Sequence, residues 1–378
     1  AAEAAYFMPG HAKAINIDKA GTVYIDDFEG ASTNFDLKGS YLSWSLASAP
    51  KGMKDRYGIE KFPEAHVSDS LVYGYNRAKL SWYSIDPIFQ NPGGGNPLST
   101  ALQQSTANNM YTKQYYEQDV FRNRQNATIT NPPLYTLDLS YFPNEKGPYN
   151  FETTPTPYSK GVNATGKLNN PETRWGGIMR SIDGTTDFEA ANVEFIQFWV
   201  LDPFKYPGAN RQGNLYIQLG NVSEDILKDS RKQYENGLPR PNGGTTVDTS
   251  AWGVTPTIQN ALTNSFDADP AVIKKQDVGL DGLDNDAEKD YFSSYLTKLH
   301  TVISNQTALD KATNDPSGDD YKFNRDGSFT PDDDVVTRYK DFSNTQGNSS
   351  NNLNNNNVNG NSKTQPDNED LNNDNTLN

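Results

Sequence analysis

The chain has no cysteine, which excludes disulfides, thiolate metal sites and a cysteine nucleophile. Histidine is nearly as scarce: His11, His66 and His300 are the only three, far apart in 378 residues. Imidazole chemistry needs an identifiable partner, so each reads as a surface or satisfied core side chain and not as a ligand or triad base. Positive charge is also short, with 33 Lys and Arg against 48 Asp and Glu and a net charge of -15. A phosphate binder needs a positive field to release counterions, and no basic cluster supplies one, so no nucleic-acid partner is expected. No apolar run approaches the ~18 to 20 residues of a membrane helix, and no signal peptide is recognisable. The chain opens on Ala1-Ala2-Glu3 without a Met and closes on Leu377-Asn378 without a finishing element, so a piece of a longer protein is expected.

Aromatic residues are plentiful, with 21 Tyr and 17 Phe, although hydrophobic residues make up only 34% of the chain. That pairing predicts a real core in one part and solvated chain elsewhere. Strand signals recur from Thr22 to about Gly220: Tyr24 to Phe28, Tyr41 to Leu46, Leu71 to Tyr83, Leu134 to Tyr141, Trp175 to Ile182, Val193 to Leu201 and Leu215 to Leu219. In the third, an every-second-residue pattern changes phase near Asn76-Arg77, as a turn or bulge requires. Seven short strands with Gly, Pro and Asn between them predict a mainly β fold, an antiparallel jelly-roll-like β-sandwich with long loop insertions and a few helices. Phe28, Phe198, Trp199 and Leu219 are expected among its core positions.

Helical signals are fewer. Thr106 to Asn123 suits a short helix, and Ser223-Glu224-Asp225 reads as the capped, acidic opening of another, stopped at Asn236-Gly237. From Asp286 to about Ser304, Tyr291, Phe292, Tyr295, Leu296, Leu299 and Val302 recur at i, i+3, i+4 spacing as a core-facing stripe. From Ser343 the sequence becomes Asn-rich and cannot bury apolar area against its ordering entropy. The expected division is a sandwich with insertions over 1–240, an acidic segment with one amphipathic helix packed on the sandwich over 241–342, and a flexible loop or tail over 343–378.

One stretch suggests a calcium loop. An EF-type loop needs oxygen ligands at positions 1, 3, 5, 7, 9 and 12 and a Gly at 6. Counting from Asp277 gives Asp277 at 1, Asp281 at 5, Gly282 at 6, Leu283 (by its carbonyl) at 7, Asn285 at 9 and Glu288 at 12. Gly279 at position 3 supplies no side-chain oxygen, and the same acids also suit a helix N-terminus. A run at Asn324-Arg325-Asp326-Gly327 is weaker, because Lys322 stands where a first ligand should. Two other chemistries compete. Trp44, Trp82, Tyr83 and Trp252 could stack on sugar rings in a carbohydrate-binding module, or fill the core. Asp26, Asp27 and Glu29 could be read as a glycosidase pair, but strand alternation would send Asp26 and Asp27 to opposite faces. No catalytic residues and no enzymatic role are expected.

Several runs are similar to a known family. Tyr24-Ile25-Asp26-Asp27-Phe28-Glu29-Gly30, Trp44-Ser45-Leu46-Ala47-Ser48, Trp175-Gly176-Gly177-Ile178-Met179-Arg180 and Glu194-Phe195-Ile196-Gln197-Phe198-Trp199-Val200-Leu201-Asp202-Pro203-Phe204 resemble segments of the SprA/Sov proteins. So do Gly213-Asn214-Leu215-Tyr216-Ile217, Leu219-Gly220-Asn221-Val222-Ser223-Glu224-Asp225-Ile226-Leu227-Lys228-Asp229 and Asn236-Gly237-Leu238-Pro239. Arg338-Tyr339-Lys340, Asn348-Ser349 and Pro366-Asp367-Asn368-Glu369-Asp370 carry the likeness close to the C-terminus. The resemblance implies a part of the outer-membrane translocon of the type IX secretion system, a very large β-barrel that exports folded cargo and supports gliding motility. It implies as partners the remaining barrel of the same protein, a FadL-type shuttle protein (PorV), a periplasmic plug protein and secreted cargo proteins. No series of ~10-residue strands with a lipid-facing band is present here. The chain is therefore expected to be a soluble domain of the cell outer membrane, held outside the bilayer.

Overall fold

Ala78 to Tyr83 forms the most buried strand, and its sequence explains why. Both faces of Ala78-Lys79-Leu80-Ser81-Trp82-Tyr83 are covered, so apolar side chains occur on both of them, with Ala78, Leu80 and Trp82 on one and Tyr83 on the other. In this computed structural model the described residues are 16–17, 20–21, 36–91, 98–123, 131–182, 187–189, 193, 195–205, 213–238, 246–258, 267, 269, 272, 279–342 and 368–377. The chain divides into two compact units, residues 1–37 with 185–195, and residues 38–184 with 196–378. In the first, strands β1 (Asn16–Ile17) and β2 (Ala20–Gly21) pair antiparallel.

The second unit carries the described core. Its strands are β3 (Ser45–Leu46), β4 (Ala78–Tyr83), β5 (Tyr115–Tyr116), β6 (Pro133–Leu134), β7 (Asp138–Lys146), β8 (Ile178–Met179), β9 (Val247–Thr249) and β10 (Val254–Pro256). They pair antiparallel as β3 with β8, β4 with β7, β5 with β6 and β9 with β10, and each pair is a sheet of its own. The helices are α1 (Pro87–Gln90), α2 (Thr100–Asn108), α3 (Glu117–Val120), α4 (Asn285–Tyr291), α5 (Ser293–Val302), α6 (Gln306–Asn314) and α7 (Val335–Tyr339).

The mainly β sandwich is therefore wrong: among the described residues strands are short and no sheet exceeds two of them. Alternating apolar residues report a half-buried extended chain, and an extended chain need not join a ladder if other groups satisfy its backbone. Here buried charged and amide side chains do so. Arg174 and Glu152, both side chains fully buried, form an ion pair. The same guanidinium donates to the carbonyls of Tyr75 at 2.8 Å, Asn169 at 2.8 Å and Gly161 at 3.2 Å. Asn150 donates to the carbonyls of Tyr75 and Arg77, both at 2.8 Å. Arg77 donates to those of Ala47 and Ile226 and lies over the Trp175 ring.

Aromatic clusters fill the space between. Phe151 packs against Phe292 at a ring-centroid distance of 4.3 Å and edge-on to Tyr295 at 5.2 Å, beside Trp82, Trp252 and Tyr149. A smaller cluster stacks Tyr83 on Tyr339 at 4.1 Å, with Phe89 and Phe342 around them. Of the stripe, Phe292, Tyr295, Leu296 and Leu299 are buried and Val302 is half-buried, whereas Tyr291 is exposed; the chain turns at Phe292 and divides that helix into α4 and α5. The phase change near Asn76-Arg77 is likewise real: a 3-10 turn over Leu71–Gly74 precedes β4, and the β4–β7 register shifts at Ala78/Lys79.

Three further expectations need correction. Residues 196–201 and 215–219 have no strand partner among the described residues, and Phe198, Trp199 and Leu219 are exposed; Phe28 lies outside the described residues. No helix opens at Ser223. The Asp225 carboxylate accepts from the backbone N–H groups of Asp229 and Ser230, each at 3.0 Å, and Lys228 and Ser230 take left-handed φ values of 59° and 60°. Asp side chains that capture nearby N–H groups compete with a helix in this way. Finally, of the tail expected over 343–378, residues 343–367 and 378 lie outside the described residues, Asn368 to Leu371 pack on the body, and 372–376 are exposed. Glu369 is wholly buried, and its carboxylate accepts from the N–H groups of Ile226 at 2.7 Å, Leu227 at 3.1 Å and Gln233 at 2.9 Å. Glu224 in turn accepts from the N–H groups of Leu371 and Asn372. Two acids therefore hold a mostly polar segment whose Leu371 packs against the core.

Candidate metal centre

Three segments deliver one carboxylate each to a buried cluster. The first is the turn ahead of α4. Its Asp281 is held through the backbone, where Val254 of β10 donates its N–H to the Asp281 carbonyl at 2.8 Å. Gly282 follows with the left-handed φ of 68° that a sharp turn requires. The second is α4, capped by Asp284 accepting from the Ala287 N–H at 2.9 Å, which points Glu288 inward. The third is the turn after α6, where the Asp315 carboxylate accepts from the N–H groups of Gly318 at 2.7 Å and Asp319 at 3.1 Å. Asp281, Glu288 and Asp319 are all buried, and one oxygen from each lies within 4.8 Å of the other two.

Ser317 fastens two of the three. Its hydroxyl donates to Asp281 Oδ2, its N–H donates to Glu288 Oε2 at 3.1 Å, and its carbonyl accepts from the Tyr149 N–H at 2.6 Å. Asp281 Oδ1 accepts from the Leu283 N–H at 3.0 Å. Glu288 Oε1 and Asp319 Oδ2 are buried without a hydrogen-bond partner. Asp319 Oδ2 reaches so close to Gly279 that a Cβ there would lie 2.0 Å from it, so the glycine is what lets this carboxylate enter.

The electrostatics follow from burial. Desolvation, with Glu288 adjacent, pushes the Asp281 carboxyl well above the usual range. Desolvation and then Glu288 and Asp281 do the same to Asp319. Glu288 is raised to about 7, by burial first and Asp315 next. One cation is close: burial lowers Lys146 to about 8 against the pull of Asp315, Glu288 and Asp319, and its Nζ donates to the Pro316 carbonyl.

Of the residues expected to bind calcium, the structure brings together Asp281 and Glu288. Asp277 lies outside the described residues. Leu283 is buried, and Asn285 donates its amide to Asp320 at 2.8 Å, away from the three carboxylates. The site is not an EF-type loop, because its third carboxylate comes from a different segment. Asp319 was missed; the only sequence trace of it is the crowding of acids in Asp315-Pro316-Ser317-Gly318-Asp319-Asp320. Elsewhere, Trp82, Tyr83 and Trp252 are core residues and present no face to a sugar ring. Asp26, Asp27 and Glu29 lie outside the described residues.

Residues 294–378 match the family model of the motility related/secretion protein SprA_N. The match is confined to the C-terminal stretch of the 378-residue chain. The matched span begins inside α5 and includes Asp319, whereas Asp281 and Glu288 precede it. No curated protein matches the chain. No described helix is long and apolar enough to cross a membrane.

Proposed function

We propose that this chain is a soluble structural and interaction module of the outer-membrane protein-conducting translocon of the type IX secretion system, lying outside the bilayer and supporting protein export and gliding. The observation that carries this reading is the match of residues 294–378 to a secretion and motility family. The composition agrees with it, since a net charge of -15 suits an exposed, solvated module. Its partners in this reading are the remaining barrel of the same protein, a FadL-type shuttle protein, a periplasmic plug protein and the cargo in transit. It is a scaffold and not an enzyme. The test is an in-frame deletion of the coding segment for residues 38–378 in the native host, with the remaining protein confirmed in the outer membrane. Loss of secreted proteins from the culture supernatant together with loss of colony spreading is expected. Undiminished secretion and spreading would contradict the reading.

A further inference from the structure

We propose that Asp281, Glu288 and Asp319 bind one calcium ion, which ties the turn before α4, α4 itself and the turn after α6 into one unit. Three observations carry this. The geometry fits: calcium takes oxygen ligands at about 2.3–2.6 Å, so oxygens on opposite sides of the ion stand about 4.6–5.2 Å apart, and the three carboxylate oxygens lie within 4.8 Å of one another.

The polar accounting is open in the right place. Glu288 is 0% and Asp319 6% exposed, and Glu288 Oε1 and Asp319 Oδ2 have no hydrogen-bond partner. A buried carboxylate oxygen left without a donor costs more than almost any other defect in a core. A cation answers both oxygens at once. The sign of the charge agrees, since three buried carboxylates, with Asp315 adding to their negative field, stand against the ammonium of Lys146 and favour a cation between them. Calcium is favoured over magnesium because magnesium dehydrates reluctantly and keeps several waters, while a wholly buried set of three carboxylates gives it little room to do so.

The local design is that of a closed site. Ser317 holds one oxygen each of Asp281 and Glu288, so two ligands are oriented before any ion arrives. Gly279 admits the third. The ion joins residues inside the family-matched span to residues before it, and this inference does not depend on the export role.

The test uses the full 378-residue chain, stripped with a chelator and titrated with calcium chloride or magnesium chloride. Calorimetry should show saturable calcium binding with a dissociation constant between about 1 µM and 1 mM, the span of sensor and extracellular sites. The unfolding midpoint should rise by roughly 2 °C or more at saturating calcium, and magnesium should do distinctly less. Asp319→Asn should weaken calcium binding by at least about tenfold, since it removes a charged ligand. In chelator the same variant should unfold at or above the wild-type temperature, because it relieves repulsion among buried carboxylates. A residue of merely structural importance would lower the midpoint in both conditions. Asp286→Asn, on an exposed carboxylate of the same helix, should leave the calcium response intact. No calcium-dependent heat or midpoint shift at 10 mM calcium, or an undiminished response in Asp319→Asn, overturns the proposal.

Discussion

Two regions of the second unit treat polarity in opposite ways. Around Arg174 and Glu369 the chain buries charge: Glu152, Glu224, Asp225, Asp229, Glu235 and Glu369 are all inside. Between Ile196 and Val222 it exposes large apolar side chains, with Trp199 at 75% and Ile217 at 49% of their full accessibility. On hydrophobicity alone the second region should be core and the first surface. The difference is where the backbone finds its hydrogen bonds. In the first region Arg174, Glu224, Asp225 and Glu369 each answer two or more main-chain groups, so irregular chain can be packed without a sheet. In the second region Lys205 donates its N–H to the Tyr111 hydroxyl and Phe204 to its neighbour Asp202, but residues 215–219 join no ladder among the described residues. Extended apolar chain of this kind stays on the surface until a strand is supplied.

The largest effect expected from this contrast comes from breaking a buried charge pair. Arg174→Met should destabilise the chain by about 3–5 kcal/mol, because Glu152 is left charged and unpaired in the interior. Adding Glu152→Leu should recover a large part of that loss, read as a return of the urea midpoint. If the double variant is no better than the single one, the carbonyl contacts of Arg174 matter more than its charge partner.

A smaller effect should depend on pH. Burial pushes Asp341 upward, but Lys79, Lys311 and Lys340 more than offset it and hold the carboxyl at about 2. A folded value below the unfolded 3.8 means that the ion pairs contribute fully above pH ~4 and are lost as pH falls through about 2. Asp341→Asn should therefore cost on the order of 1–2 kcal/mol at pH 6, allowing for partial solvent screening, and progressively less toward pH 2. An equal cost at pH 6 and pH 3 would remove the ionic explanation. At the bottom of the scale, Trp199→Ala should change stability by no more than about 0.5 kcal/mol, despite replacing the largest side chain in an apolar run. A loss of several kcal/mol would mean that the run is core.

What the sequence disclosed, it disclosed where side-chain spacing and burial coincide. The stripe from Phe292 to Leu299 announced a buried helical face, and the phase change at Asn76-Arg77 marked the start of β4. Asp281 and Glu288 were visible as candidate ligands because they lie close together along one loop and helix. Asp319 was not, since nothing local connects the turn after α6 with the turn before α4. The run from Ser223 reads as a helix start by composition, yet Asp225 turned back on its own backbone and Lys228 and Ser230 left the helical region. Val193 to Leu201 and Leu215 to Leu219 read as strands because alternation reports an extended chain, not what covers it. Fold class was lost on that distinction: a sandwich needs ladders, and this chain uses buried Arg, Asn, Asp and Glu in their place.

The most direct measurement is amide hydrogen exchange on the full chain at neutral pH, comparing residues 226–233 with residues 215–219. The N–H groups of Ile226, Leu227 and Gln233 donate to the buried Glu369 carboxylate and should be strongly protected, while those of Leu215 to Leu219 should exchange quickly. Glu369→Ala should remove the first protection and leave the second region unchanged. Protection of residues 215–219 with rapid exchange at 226–233 would contradict the account.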